Sequence, residues 1–120
     1  MQTGHFPQSC VSLEENLKKA LTELLILHLL SKRDYFIGEL TETLKQKSNG
    51  ALKLVFPYSA IYRLQQLGYI FDGDKRIAAD GRKRQFYGIT QLGRTHYTNL
   101  LETYQHFITG VNTVLEDNQP

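Results

Sequence analysis

DGRKRQFYGIT, Asp80 to Thr90, joins two kinds of signal in one short stretch. Asp80-Gly81 favours the positive φ of a hairpin turn, and Phe86, Tyr87 and Ile89 follow as the apolar part of a strand. Between them stand Arg82, Lys83 and Arg84, where a strand leaving a turn would ordinarily be building its apolar face. With the preceding strand-like run, Tyr69 to Arg76, the stretch predicts a β-hairpin with a cationic tip. From Lys75 to Arg84 the cations Lys75, Arg76, Arg82, Lys83 and Arg84 face Asp80 alone. Such a tip suits phosphate oxygens. The same composition also serves a solvated tip that discourages sheet-edge aggregation, so the neighbouring elements must decide.

Upstream, Ser12-Leu13-Glu14-Glu15 has the S-x-x-E spacing of a capping box and predicts a helix start. Leu13, Leu17, Leu21, Leu24, Leu25 and Leu29 continue at helical spacing until Ser31 to Asp34. His28, within this leucine run, reads as a core histidine with a satisfied partner. A second amphipathic stretch carries Phe36, Ile37, Leu40 and Leu44 and stops at Ser48-Asn49-Gly50. A third helix is bracketed by Pro57, suited to a first helical position, and Gly68, suited to a helix end. Ala60, Ile61, Leu64 and Leu67 make its apolar stripe, leaving Ser59, Tyr62, Arg63 and Gln66 on a polar face.

Downstream, Thr90 is placed to cap a helix from Gln91 to about Asp117. Tyr97, Leu100, Tyr104, Phe107, Val111 and Val114 recur at alternating steps of three and four, a heptad seam. Leu101, Ile108 and Leu115 broaden it beyond what one small core covers, which predicts a second subunit on this helix.

The expected fold is mainly α with a β-hairpin: a winged helix-turn-helix followed by a long C-terminal dimerisation helix. Residues 1–12 are expected to be a flexible N-terminus, 13–90 the winged-helix domain and 91–117 the dimerisation helix. A length of 120 residues fits one domain. The net charge of +2 is too small to identify a nucleic-acid binder, but its distribution is uneven: residues 63–94 hold seven Lys and Arg against three Asp and Glu, whereas residues 95–120 hold three acidic residues and no Lys or Arg. A single cysteine, Cys10, excludes an intramolecular disulfide, and no segment reads as a membrane span or signal peptide. The chain is accordingly expected to be cytoplasmic, without a membrane partner.

Enzyme chemistry finds no support, since no nucleophile, base and orienting group form a recognisable motif and no glycine-rich phosphate loop occurs. No metal ligands and no cofactor are assigned: His96 and His106 share the last helix but lie ten positions apart, not at a ligand-pairing spacing.

Three stretches together resemble the PadR-like transcriptional regulators, over about Leu21 to Leu101. LTELLILHLLSKRDYFIGEL is similar to that family's opening helix, SAIYRLQQLGYI to its third helix, and DGRKRQFYGITQLGR to its wing and the turn after it. The most specific of these is the wing pattern GR-x-R-x-x-Y-x-x-T-x-x-G. Two stretches depart from the family: its Gly-Thr-Leu-Tyr-Pro run is VFPYS here, with only Tyr58 kept, and its Tyr-Gly-Tyr-Glu-Leu run is FIGEL. The chain has no Trp, so the tryptophan through which multidrug-binding relatives stack ligands has no counterpart.

The resemblance implies a homodimeric, sequence-specific binder of a double-stranded DNA operator, a repressor with a small aromatic or hydrophobic effector held near the dimer interface. On this sequence Tyr58 and Ser59 are placed for phosphate at the start of helix 3, and Tyr62, Arg63 and Gln66 for base edges, Arg63 for guanine. Lys75, Arg76, Arg82, Lys83 and Arg84 are placed for backbone phosphates. Tyr97, Leu100, Tyr104, Phe107, Val111 and Val114 are assigned to the dimer interface or effector pocket. Two other readings stay open: a metal-sensing winged-helix repressor, and a winged-helix protein-interaction module whose basic tip docks an acidic partner.

Overall fold

The computed structural model of the protein describes residues 10–120. Helices α1 (Val11–Leu30), α2 (Ile37–Lys47) and α3 (Pro57–Gln66) precede strands β1 (Ile70–Ile77) and β2 (Lys83–Ile89), and helix α4 (Gln91–Glu116) follows. This is the expected winged helix with a long last helix.

The start of α1 differs from the expectation. The helix begins at Val11, so Ser12 lies inside its first turn, and the capping position is Cys10, with no side-chain cap bond. Glu14 pairs with Lys18 one turn on, at 2.5 Å. With Cys10 at the cap the third helical position is Leu13, and Glu15, the glutamate of the expected box, lies beyond the place from which a carboxylate reaches back. The 12/13 boundary therefore falls within a helix, and residues 1–9 of the expected N-terminal segment lie outside the described residues.

The C-terminal half of α1 is the centre of the core. Ile26, Leu27, Leu29 and Leu30 are buried against Leu40 and Leu44 of α2, Leu54, Ile61 and Leu64 of α3, and Ile70 and Ile89 of the strands. Full burial of each large apolar side chain stabilises by about 1.5 to 3 kcal/mol, so this cluster is what holds the three helices and the hairpin together. His28 is the exception on that stretch. It is exposed on the outer side of α1, where its Nδ1 lies 2.6 Å from Tyr97 Oη of α4. The leucines on either side of it turn inward, and at 100° per residue position 28 then falls outside the buried arc.

β1 and β2 pair antiparallel, from Ile70 opposite Ile89 to Ile77 opposite Lys83, with an irregularity between Asp72 and Lys75. The amide of Gln85 donates to the carbonyls of Gly73 (3.0 Å) and Phe86 (2.8 Å), occupying acceptors at this irregular stretch. A third segment adds to the base of the hairpin: Tyr35 and Tyr87 exchange backbone hydrogen bonds of 3.2 and 2.8 Å.

The hairpin hands over to α4 through Thr90. Its Oγ1 accepts from Gly93 N at 2.9 Å and donates to Gly68 O at 2.6 Å, so one hydroxyl caps α4 and holds the end of α3. Gly93 is buried there, and a Cβ at that position would lie 1.9 Å from the Tyr69 carbonyl oxygen. Thr90 and Gly93, the T-x-x-G part of the wing pattern, are thus joints between hairpin and helix, and Tyr87 joins the hairpin to the segment before α2. Beyond Leu101, α4 leaves the core and gives the chain its longest dimension, 57 Å.

Candidate nucleic-acid interface

α3 begins with Pro57 at its first position, as expected, but the preceding Phe56 sits at φ 50°, ψ 58°, in the left-handed region. An aromatic residue is strained there. Ile61 and Leu64 are buried beneath the helix. On the outer side Tyr58 (73% exposed), Ser59, Tyr62 (64% exposed), Arg63 and Gln66 all reach solvent.

The sequence gives no hint of what holds Arg63. Its Nη1 donates to both carboxylate oxygens of Glu23 on α1, at 2.6 and 2.7 Å. Next to Glu23, the buried hydroxyl of Thr22 donates to Lys18 O at 2.7 Å and accepts from Val55 N at 3.3 Å. Two adjacent α1 residues thereby hold the lead-in to α3 and its exposed face. On the opposite flank Gln65 hydrogen-bonds Asp72 of β1, tying α3 to the hairpin.

The hairpin tip turns through Ala78 to Arg82, with Gly81 at φ +81°, where Gly alone is unstrained. Asp80 accepts from the backbone N–H of Arg82 at 3.0 Å and from the Arg84 guanidinium at 2.6 Å. The Arg84 hydrogen bond, then that of the Arg82 backbone, holds its carboxyl below the usual range. Arg76 lies over the Phe86 ring, 3.9 Å from its centroid. Phe86 itself is buried and meets Phe36 edge-on at 5.4 Å. The cations therefore divide: Arg76 and Arg84 are held by the hairpin, while the side chains of Lys75, Arg82 and Lys83 have no partner among the described residues. α3 and the wing share a cleft, lined by Phe36, Ile37, Tyr58, Arg84, Gln85 and Tyr87. Burial, followed by Asp72 and Tyr58, pushes the Tyr87 phenol above its usual range.

The heptad seam also divides. Tyr97 and Leu100 pack on the chain's own core, whereas Phe107 and Val114 are 68% and 73% exposed. A second apolar face, not anticipated from sequence, lies on the N-terminal half of α1. Leu13 and Leu17 border a groove of about 390 Å³ with Leu21, Leu25 and Leu52. Helical spacing marked these leucines as an apolar stripe but not as an uncovered one. Among the described residues no group of three or more His, Cys, Asp or Glu stands where a metal ion could be held. No described helix is long and apolar enough to cross a membrane.

A polar recognition-type helix beside a basic hairpin, followed by a long helix, defines a winged helix-turn-helix regulator. The sequence profile of the transcriptional regulator PadR-like family matches residues 26–99, most of the chain, and the protein belongs to that family. It is thus a transcriptional regulator and not an enzyme. Among solved structures, a PadR family transcriptional regulator from Eggerthella lenta superposes with a TM-score of 0.75 at 18% identity, covering 92% of this chain and 95% of that one. A transcriptional regulator from Clostridium thermocellum gives 0.71 at 23% identity, with 82% and 96% covered. A PadR-like regulator from Bacillus cereus gives 0.69 at 23% identity, with 82% and 95% covered. No curated protein sequence matches this chain.

Proposed function

We propose that the protein is a homodimeric repressor that binds a double-stranded DNA operator through α3 and the wing. The observation that carries this reading is the adjacency of two complementary surfaces. The exposed side chains of α3 offer hydrogen-bonding groups to base edges, and the wing, whose Arg84 lines the shared cleft, carries Lys75, Arg82 and Lys83, cations without a partner among the described residues that suit phosphates. The winged-helix family supports the same reading.

The dimer is supported by apolar surface that one chain leaves uncovered: Leu13 and Leu17 on α1, Phe107, Val114 and Leu115 on α4. Exposed apolar faces of this kind mark interaction surfaces in soluble proteins. The α1 groove, and a second groove between α1 and α4 bordered by Leu24, Leu100, Tyr104 and Phe107, are apolar enough for a small aromatic or hydrophobic effector. Repression and the effector themselves follow the resemblance to the family.

The test is selection of bound duplexes from a random-sequence library, followed by titration of a selected duplex over a range of salt. A specific DNA-binding dimer should return a two-fold symmetric site and an affinity that falls steeply with salt. An unenriched library, with salt-independent binding, would favour the protein-interaction module.

A further inference from the structure

Resting on the DNA-binding reading, we propose that Glu23 of α1 is a positioning residue for sequence recognition: it fixes the Arg63 guanidinium so that its remaining donors face a base edge. A guanidinium has five N–H donors in a rigid planar fork. Here Nη1 is taken up by the two carboxylate oxygens of Glu23, at 2.6 and 2.7 Å. Nε and Nη2 have no partner among the described residues and remain as donors that a guanine can accept through O6 and N7.

The burial of the two partners fits this division of labour. The Glu23 side chain is 28% exposed and the Arg63 side chain 60%, so the anion is the sheltered anchor and the cation the outward group. The anchor is itself well set. Glu23 follows Thr22, whose hydroxyl accepts from Val55 N, so the same turn of α1 holds the backbone leading into α3 and the side chain on its outer face. The anchor also removes rotamer freedom in advance, since an unanchored arginine must order on binding and pays that entropy there.

The experiment uses the full chain and two probes, a duplex selected from a random-sequence library and a scrambled duplex of the same composition. Both are titrated at one salt concentration with the wild type, Glu23→Gln, Glu23→Asp, Arg63→Ala and Glu23→Gln/Arg63→Ala, with melting curves in parallel. Glu23→Gln should lower the ratio of selected to scrambled affinity by about threefold to tenfold, a part of what one bidentate base contact supplies. Scrambled affinity should hold or tighten slightly, because a negative charge has been removed. Glu23→Asp keeps the charge but draws it back by one methylene, and should lower the ratio too. Reselection should relax the same base pair with Glu23→Gln as with Arg63→Ala, and the double variant should lose no more than Arg63→Ala alone.

Several results overturn the proposal while leaving the DNA-binding reading intact. They are an unchanged or increased ratio in Glu23→Gln and Glu23→Asp, an unchanged ratio in Arg63→Ala, or equal losses on both duplexes together with lowered melting, which would make the pair a structural tie. A wild type that enriches no duplex overturns both readings together.

Discussion

His28 Nδ1 and Tyr97 Oη lie 2.6 Å apart, and this one hydrogen bond joins the outer face of α1 to the first half of α4. The same imidazole is held below its ordinary value of 6.5, by partial burial first and then by the charges of Lys32 and Lys47. With the folded value below the unfolded one, the unfolded chain binds more protons over the interval between them, so stability rises with pH. The contribution is present above about 6.5 and is lost as pH falls through the folded value. Melting temperatures of wild type and His28→Gln, measured from about pH 7.5 to about pH 5, should show the wild type losing its advantage on acidification. Parallel curves for the two proteins would contradict this.

Gly93→Ala should be severely destabilising. The added Cβ would meet the Tyr69 carbonyl oxygen at 1.9 Å and the Ile89 side chain at 2.8 Å, so either α4 or the backbone at Tyr69 must move. A loss of about 2 to 4 kcal/mol is expected for overpacking against backbone, read from the urea midpoint. A variant as stable as the wild type would show that α4 can shift without cost.

Phe56→Asn should stabilise. Phe56 is 67% exposed and held at φ 50°, so little apolar burial is given up and a strained conformation is relieved. Asn visits the left-handed region more readily, and a gain of about 0.5 to 1 kcal/mol follows, seen as a raised melting temperature. Loss of stability would mean that the aromatic ring contributes more packing than its exposure indicates.

Phe107→Glu should leave the single chain folded and separate the dimer. In one chain the side chain is largely exposed, so the substitution meets water. In the proposed dimer it would bury an unpaired carboxylate at a cost of several kcal/mol. Sedimentation at micromolar concentration should show dimer for the wild type and monomer for the variant, with unchanged helical content. A dimeric variant would shift the interface to the Leu13 and Leu17 face of α1.

Arg82→Ala/Lys83→Ala should weaken binding to selected and scrambled duplexes alike, since phosphate contacts carry no sequence information. Both side chains lack partners among the described residues, so the fold should be unaffected, within about 0.5 kcal/mol. Across two wings up to about four phosphate contacts are lost, and the slope of log affinity against log salt should flatten by roughly 2 to 4. A slope equal to that of the wild type would remove the wing from the interface.

The elements and their order were legible from the residues alone, because each rests on short-range chemistry. Pro57 and Gly68 bracket α3, Asp80-Gly81 turns the hairpin, and Thr90 caps α4 across three residues. The sequence also placed the cations at one tip, since a hairpin brings Lys75, Arg76, Lys83 and Arg84 together by register alone. The capping box at Ser12 was misleading even at this range, because the helix starts at Val11 and Glu15 then lies beyond its third position. Relations between residues far apart in the chain come from packing instead. Arg63 and Glu23 are separated by forty residues and His28 and Tyr97 by sixty-nine, and nothing in either local pattern selects the partner. The same holds for burial: periodicity shows that Leu13, Leu17, Phe107 and Val114 lie on apolar faces of helices, but which apolar face another element covers depends on how α1 and α4 cross. They meet between the C-terminal half of α1 and the first half of α4, so Tyr97 and Leu100 are covered while Leu13 and Leu17 at the start of α1 and Phe107 and Val114 towards the end of α4 stay exposed.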